Sequence, residues 1–141
     1  MFIDASAIVS ILKGEPPAAG LLAALDAAKG KTFSSPIARF EAIMLLSAQA
    51  SKTRGEEATS QKIMGEVEGL VDGLLTEVGA RDITISSSIG RAACEAAARY
   101  GEGAGHPAQL TMAGCFAYVC AKAYHTQLLY AGGGFALTDI G

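Results

Sequence analysis

Asp4, with Ser6 close behind it, occupies a position where a carboxylate can do chemistry. Asp4 directly follows the apolar pair Phe2-Ile3 and precedes an apolar stretch of helical character, and Ser6 lies two residues further on. A carboxylate between a strand and a helix projects at the carboxyl edge of a parallel sheet, where open α/β folds bind ligands. The alternative is that Asp4 or Ser6 only caps the first helix, a common use of both residue types.

Glu41 is the second acidic candidate. It lies four residues after Ile37 and four before Leu45, so on a helix it shares a face with two apolar side chains that should point inward. An isolated glutamate there reaches solvent or pairs with an arginine. A second acid nearby changes this interpretation, because two carboxylates converging in a cleft repel each other unless a divalent cation neutralises them. We predict that Asp4 and Glu41 come close together at the strand carboxyl ends.

The elements that must position these residues are short strands alternating with helices. Strand-like apolar runs occur at Phe2-Ile3, Thr32-Phe33, Ile83-Thr84-Ile85 and Leu128-Leu129-Tyr130. Helical spacing or helix-end signals cover 7–12, 17–28, a helix starting at Ser35-Pro36, about 56–78, 88–100, and 108 to about 124. The pattern predicts a single three-layer α/β domain over residues 1–141, with a central parallel sheet of about four to five short strands flanked by helices.

Composition limits the classes of function. Half of the 141 residues are hydrophobic, which is enough for a core, and no apolar run is long enough to span a bilayer. We therefore predict a cytoplasmic protein without a membrane partner. The formal charge of −3 provides no overall field for nucleic acid. Arg39, Lys52 and Arg54 gather cationic charge, although a short basic stretch is more commonly just solvated.

Two further expectations concern the cysteines and the oligomeric state. The spacing of Cys94, Cys115 and Cys120 matches no zinc or redox pair, so buried reduced thiols are expected. The long amphipathic helix at 56–78 and the helix at 37–48 offer more apolar surface than a small sheet covers. We therefore predict a homodimer.

Four segments of the chain, taken in order, resemble the PIN-domain family in its VapC-like branch, the toxin ribonucleases of type II toxin–antitoxin pairs. They are 2–9, 34–36 with 40–42, 115–118, and 135–140. The resemblance covers nearly the whole chain and implies a PIN-like fold. It also implies an RNA substrate and a cognate VapB-like antitoxin. In this family, four acids at the strand carboxyl ends bind one or two Mg²⁺ or Mn²⁺ ions that activate water to cleave RNA.

The resemblance carries over only in part. Asp4 and Glu41 fall on the first two family acids, and Ser6 falls on the small hydroxyl residue that supports the first one. Gly114 stands where the family has an aspartate before the Cys-Phe-Ala-Tyr segment. Gly134, the last of three glycines, stands where acids precede the final phenylalanine. Asp139, near the chain end, is a weaker candidate for the same cleft.

The sequence therefore leaves more than one function open. The first is a metal-dependent endoribonuclease that uses Asp4 and Glu41, weakened by the loss of two acidic ligands. The second is a PIN-fold binding protein without catalysis, which interacts with an antitoxin or with RNA. The third, an unrelated enzyme on a doubly wound sheet, has neither a nucleotide-binding fingerprint nor a nucleophile elbow in its favour.

Overall fold

A central parallel sheet organises the protein, whose computed structural model describes residues 1–140. The strands are β1 (Phe2–Ile3), β2 (Phe33–Ser34), β3 (Arg81–Asp82) and β4 (Leu128–Leu129), arranged in the order β3-β2-β1-β4. All three pairings are parallel, with Phe2 opposite both Phe33 and Leu128. A parallel ladder requires a crossover between successive strands, and helices supply these crossovers.

Six helices surround the sheet: α1 (Ala5–Lys13), α2 (Ala18–Ala27), α3 (Pro36–Thr53), α4 (Gln61–Glu77), α5 (Ser87–Tyr100) and α6 (Met112–Ala123). A 3₁₀ turn follows at Phe135–Leu137. Among residues 1–140 no single helix has both the length and the apolarity to cross a membrane, although α1 and α2, bent by 120°, meet those criteria as a pair.

Side-chain caps fix where the helices begin. The side chains of Ser35, Ser60, Ser86 and Thr111 accept hydrogen bonds from backbone N–H groups in the first turns of α3, α4, α5 and α6. Each satisfies a donor that has no partner within its helix. Pro36 occupies the first turn of α3, where a missing N–H costs nothing.

The two residues of β1 face opposite sides of the sheet because strand side chains alternate. Phe2 is fully buried in a core formed mainly with α5 and α6. Ile3 is buried in a second core formed with α1, α2, α3 and α4. One helical layer therefore covers each face of the sheet, which confirms the predicted three-layer α/β architecture.

Several boundaries differ from the predicted ones, including the end of α3 at Thr53 rather than 48, and three of the differences have a local cause. β3 was predicted at 83–85 but pairs at Arg81–Asp82, because its neighbour β2 ends at Ser34, where the cap of α3 takes over. α4 starts at Gln61 rather than near 56, behind the cap at Ser60. α6 starts at Met112 rather than 108, because the backbone of Leu110 bridges to Gly101 instead of entering the helix.

One of the three cysteines also departs from expectation. Cys115 and Cys120 are buried free thiols, as predicted, whereas Cys94 is exposed. The expectation for Cys94 was wrong because the buried face of α5 carries Ala93 and Ala96, and residue 94 lies off that face.

Candidate metal site at the edge of the sheet

A cavity of about 320 Å³ lies at the carboxyl edge of the sheet, next to the ends of β1 and β4. The residues that line it come from all three layers: Asp4, Ser6, Glu41, Leu45, Ala108, Gln109, Leu110, Thr111, Gly114, Ala131, Gly134 and Phe135. Asp4 reaches the cavity because it is the N-cap of α1 and directly follows β1. Glu41 reaches it from the second turn of α3. The structure thus brings the two predicted acids to one cleft.

Asp4 is buried but only half satisfied. The residue as a whole is 4 % exposed. Its Oδ2 accepts hydrogen bonds from the Ser6 backbone N–H at 2.9 Å and from the Ser6 hydroxyl at 2.5 Å, whereas its buried Oδ1 has no partner among residues 1–140. Burial raises the pKa of Asp4, and the bonds from Ser6 oppose that rise. A buried carboxylate oxygen without a donor is well suited to receive a cation.

Ser6 links Asp4 to the opposite wall of the cavity. Its hydroxyl donates to Asp4 and accepts a hydrogen bond from the backbone N–H of Ala131 at 3.1 Å. Ala131 follows β4, so this one hydroxyl ties the end of β1 to the end of β4. The hydrogen bond from Ser6 to Asp4 is the contact that the resemblance implies for this residue.

Glu41 is half-buried and is held by Thr111. The Thr111 hydroxyl lies 3.3 Å from Glu41 Oε1 and also accepts the N–H of Gly114 at 3.0 Å, so it donates to the carboxylate while capping α6. Burial raises the pKa of Glu41, the negative charge of Asp4 raises it further, and the bond from Thr111 opposes both effects. The two carboxylates are therefore close enough to repel each other when both are ionised.

These features fit a divalent cation. A cation would pair with Asp4 Oδ1 and remove the repulsion between the two acids. The lining of the cavity contains no Lys, Arg or His that could do so instead. Within residues 1–140, however, no group of three or more His, Cys, Asp or Glu is placed to hold a metal ion. Such a cation would need water or substrate oxygens to complete its coordination.

Gly114 and Gly134, the positions where the resemblance implies acids, both line this cavity, but they differ in the space around them. A Cβ atom on Gly114 would lie 3.3 Å from Thr111 Oγ1, so this hydroxyl, which caps α6 and bonds Glu41, must move by a few tenths of an ångström. A Cβ atom on Gly134 would lie 2.8 Å from the carbonyl oxygen of Ala108, closer than real Cβ atoms approach backbone. The loop at Ala108 thus occupies the space that a side chain at 134 would need.

Asp139 is bound elsewhere and does not line the cavity. Its carboxylate accepts from the Tyr118 hydroxyl at 2.6 Å and from the Lys122 ammonium at 2.8 Å, which ties the C-terminal turn to α6. Chiefly because of the bond from Lys122, the pKa of Asp139 falls to about 2. Engaged in this way, Asp139 serves the packing of the chain end.

The basic stretch noted in the sequence is largely neutralised. Arg39 bonds Asp72 at 2.7 Å and Glu68 at 3.1 Å, which joins α3 to α4. Arg54 bonds Glu66 at 2.8 Å. These pairs are exposed and add little stability each, but they cancel charge that RNA would otherwise meet.

Sequence reasoning missed Thr111 and Gln109. The sequence pattern places the start of α6 at 108, so it puts Thr111 inside the helix, whereas the structure has Thr111 as the cap. Gln109 lines the cavity from an irregular loop, where hydrophobic periodicity carries no information. A shorter predicted α6 would have identified Thr111 as a polar residue at a helix start.

The fold and the cavity together define an α/β protein with an acidic site at the carboxyl edge of a parallel sheet. The PIN domain family model matches residues 1–140, and the chain belongs to this family. It is 41% identical over 140 residues to a VapC ribonuclease of Rhizobium meliloti, covering 99% of both chains. It is 31% identical to the ribonuclease VapC42 of Mycobacterium tuberculosis, over 99% of this chain and 96% of that one.

Proposed function

We propose that this protein is a metal-dependent endoribonuclease, the VapC-like toxin of a toxin–antitoxin pair. The observation that carries the proposal is the meeting of Asp4 and Glu41 in one cavity, with Asp4 Oδ1 buried and lacking a partner. The names of the relatives support it, since those proteins are called VapC ribonucleases.

Asp4 and Glu41 would hold Mg²⁺ or Mn²⁺, both of which prefer carboxylate oxygens. A bound cation of this kind lowers the pKa of water and neutralises charge on a phosphate. The chain's own residues orient the acids: Ser6 fixes Oδ2 of Asp4, which leaves Oδ1 for the ion. Thr111 holds Glu41 on the other side of the cavity.

With glycine at positions 114 and 134, the proposed metal site has two acidic ligands instead of four. Each missing carboxylate removes one oxygen ligand and one negative charge, and the charge count of the ligands controls the affinity for hard cations. We therefore propose weak metal binding and slow RNA cleavage. Two protein carboxylates remain sufficient for Mg²⁺ when water and substrate oxygens complete the octahedron.

A PIN-fold binding protein without catalysis is the second candidate. It is favoured by the lack, within the described part of the chain, of a third His, Cys, Asp or Glu at the candidate metal site. Such a protein would still bind RNA or a VapB-like antitoxin. A metal requirement for cleavage separates the two candidates.

We further propose a homodimer and a VapB-like antitoxin as protein partners, in the cytoplasm. The proposal of a dimer is supported by exposed apolar side chains on the helices: Phe40 on α3 is 61% exposed, Leu70 on α4 60% and Met112 on α6 70%.

Cleavage of a fluorescent, unstructured RNA with and without Mn²⁺ or Mg²⁺ tests the nuclease. We expect cleavage that the metal stimulates, that Asp4→Asn abolishes and that the matched change Asp26→Asn, at an exposed residue of α2, leaves intact. Binding of RNA without any metal-stimulated cleavage would favour the second candidate. Metal-stimulated cleavage that survives Asp4→Asn would contradict the assignment of Asp4 to the metal site.

A further inference from the structure

Gln109 holds a backbone conformation that its side chain disfavours. Eight residues within 1–140 have positive φ, of which six are glycines and two are Gln109, at +47°, and His125, at +49°. Glycine adopts this left-handed region without strain, and Asn, Asp and His are enriched there among other residues. Glutamine is not among the residues enriched in this region. Backbone strain of this kind concentrates at functional sites.

The loop around Gln109 is firmly held. Leu110 donates its N–H to the carbonyl of Tyr100 at 2.9 Å, and its own carbonyl accepts from Glu102 at 3.2 Å. His106 packs edge-on against the ring of Tyr100, with centroids 4.9 Å apart, and its Nδ1 accepts the N–H of Ala108 at 3.1 Å. The backbone at 109 is therefore fixed by its neighbours rather than left adjustable.

Gln109 is also chemically distinct within the cavity. Among the side chains that line it, Gln109 alone carries N–H donors. The hydroxyls of Ser6 and Thr111 already donate to Asp4 and Glu41. Within residues 1–140 the Gln109 side chain is exposed and makes no hydrogen bond to another part of the chain. A carboxamide both donates and accepts, as the edge of a nucleobase does.

We propose that Gln109 is a specificity-determining residue whose carboxamide hydrogen-bonds the base beside the scissile phosphate of single-stranded RNA. The inference rests on the proposed ribonuclease function. Unpaired bases of single-stranded RNA expose their hydrogen-bonding edges to protein side chains. A phosphate offers only acceptors, and the carboxylates of the cavity repel it unless a cation intervenes. Gln109 therefore hydrogen-bonds the base, while Asp4 and Glu41 bind the cation that contacts the phosphate.

The test compares Gln109→Gly with His125→Gly. Both substitutions relieve a left-handed residue, but His125 lies beyond α6 and does not line the cavity. Binding is measured by fluorescence anisotropy with labelled oligoribonucleotides that differ at single positions, in Ca²⁺ to suppress cleavage. Thermal melting and Mn²⁺ calorimetry accompany each variant. Gln109→Asn, which keeps a carboxamide and tolerates the backbone, is the conservative variant.

We expect both glycine variants to melt at or above the temperature of the unmodified protein and to keep its Mn²⁺ affinity. In Gln109→Gly the affinity ratio between the best and worst RNA falls by roughly fivefold to a hundredfold, the range for one specific base contact. His125→Gly keeps the ratio, and Gln109→Asn keeps part of it.

An unchanged ratio in Gln109→Gly would overturn the proposal, as would equal weakening for all RNAs, which signifies a phosphate contact. A changed Mn²⁺ affinity would also overturn it, because Gln109 would then act through the metal site. Equal affinity of the unmodified protein for all the RNAs would also overturn the proposal. Since the ratio comes from binding, failure of the nuclease itself is seen separately, as missing Mn²⁺-stimulated cleavage.

Discussion

Introducing one acid at a time should give opposite results at the two glycines of the cavity. Gly114→Asp places a Cβ atom 3.3 Å from Thr111 Oγ1, with Leu110 Cβ at 3.5 Å and Phe135 Cζ at 3.6 Å, so the site accepts it after a small adjustment. Residue 114 lies in the first turn of α6, where an acid gains about 0.3–1 kcal/mol from the helix dipole. We expect Gly114→Asp to fold and to bind metal more tightly.

The size of the effect follows from charge. A unit charge about 5 Å away in an environment of effective dielectric near 20 contributes roughly 3 kcal/mol per unit of cation charge. Two effects offset much of this Coulomb energy: the crowded acids bind protons in competition with the metal, and the new carboxylate displaces a water ligand. We therefore expect a gain of at least about tenfold in Mn²⁺ affinity. If the dissociation constant falls from about 1 mM to about 0.1 mM, 10 mM Mn²⁺ stabilises the folded state by about 2.7 instead of about 1.4 kcal/mol.

That difference is measurable as a melting shift. For a domain of this size the extra 1.3 kcal/mol or so raises the Mn²⁺-induced shift in Tm by roughly 3–5 °C. Without metal, Gly114→Asp should melt lower than the unmodified protein, because a third carboxylate adds repulsion to Asp4 and Glu41.

Gly134→Asp is the matched comparison. Its Cβ atom would lie 2.8 Å from the carbonyl oxygen of Ala108, so the backbone must move. We expect a loss of about 1–3 kcal/mol of stability, as for overpacking, and no gain in the Mn²⁺-induced shift. Equal Mn²⁺-induced shifts for Gly114→Asp and the unmodified protein would refute the reasoning, as would a full gain in Gly134→Asp.

Three further predictions concern the site and the surface. Burial raises the pKa of Asp4, so the metal-free protein should lose stability as pH rises from about 3.9, the unfolded value, through the higher folded pKa. In urea unfolding between pH 4 and 8, Asp4→Asn should therefore lose less stability with rising pH than the unmodified protein does. An unchanged dependence of stability on pH would contradict the raised pKa of Asp4. Thr111→Val should lower the free energy of unfolding by about 1 kcal/mol and weaken Mn²⁺ binding, because it removes the cap of α6 and the bond to Glu41. Thr111→Ser should keep both the stability and the Mn²⁺ affinity. Ser86→Ala, which removes the cap of α5, should lower the stability and leave the Mn²⁺ affinity unchanged. Phe40→Glu should shift the protein from dimer to monomer in sedimentation at micromolar concentration, and a protein that is monomeric without the change would refute the proposed dimer.

The layered fold could be predicted from the sequence because the residue patterns that mark its strands and helix starts are local. The pair Phe2-Ile3 is short, yet its position before Asp4 and a helix identified β1. Ser35-Pro36 marked the start of α3 by cap chemistry alone. The strand at Arg81–Asp82 was displaced from its predicted place because pairing with β2, rather than apolar character, decides where the ladder ends.

Only part of the site was accessible. Asp4 and Glu41 stood out because one follows a strand and the other lies on an apolar helix face. The bond from Thr111 to Glu41 joins residues 70 positions apart, and no periodicity encodes such a contact. The different space around Gly114 and Gly134 depends on how the loop at Ala108 packs, which is likewise tertiary information.

Calorimetric titration with Mn²⁺ tests most directly whether Asp4 and Glu41 form a divalent cation site. We predict one weak site, with a dissociation constant on the order of 1 mM, consistent with few charged ligands. Asp4→Asn and Glu41→Gln should each abolish it, and Asp26→Asn should leave it unchanged. Binding that survives both site substitutions, or no binding by the unmodified protein at tens of millimolar Mn²⁺, would contradict the account.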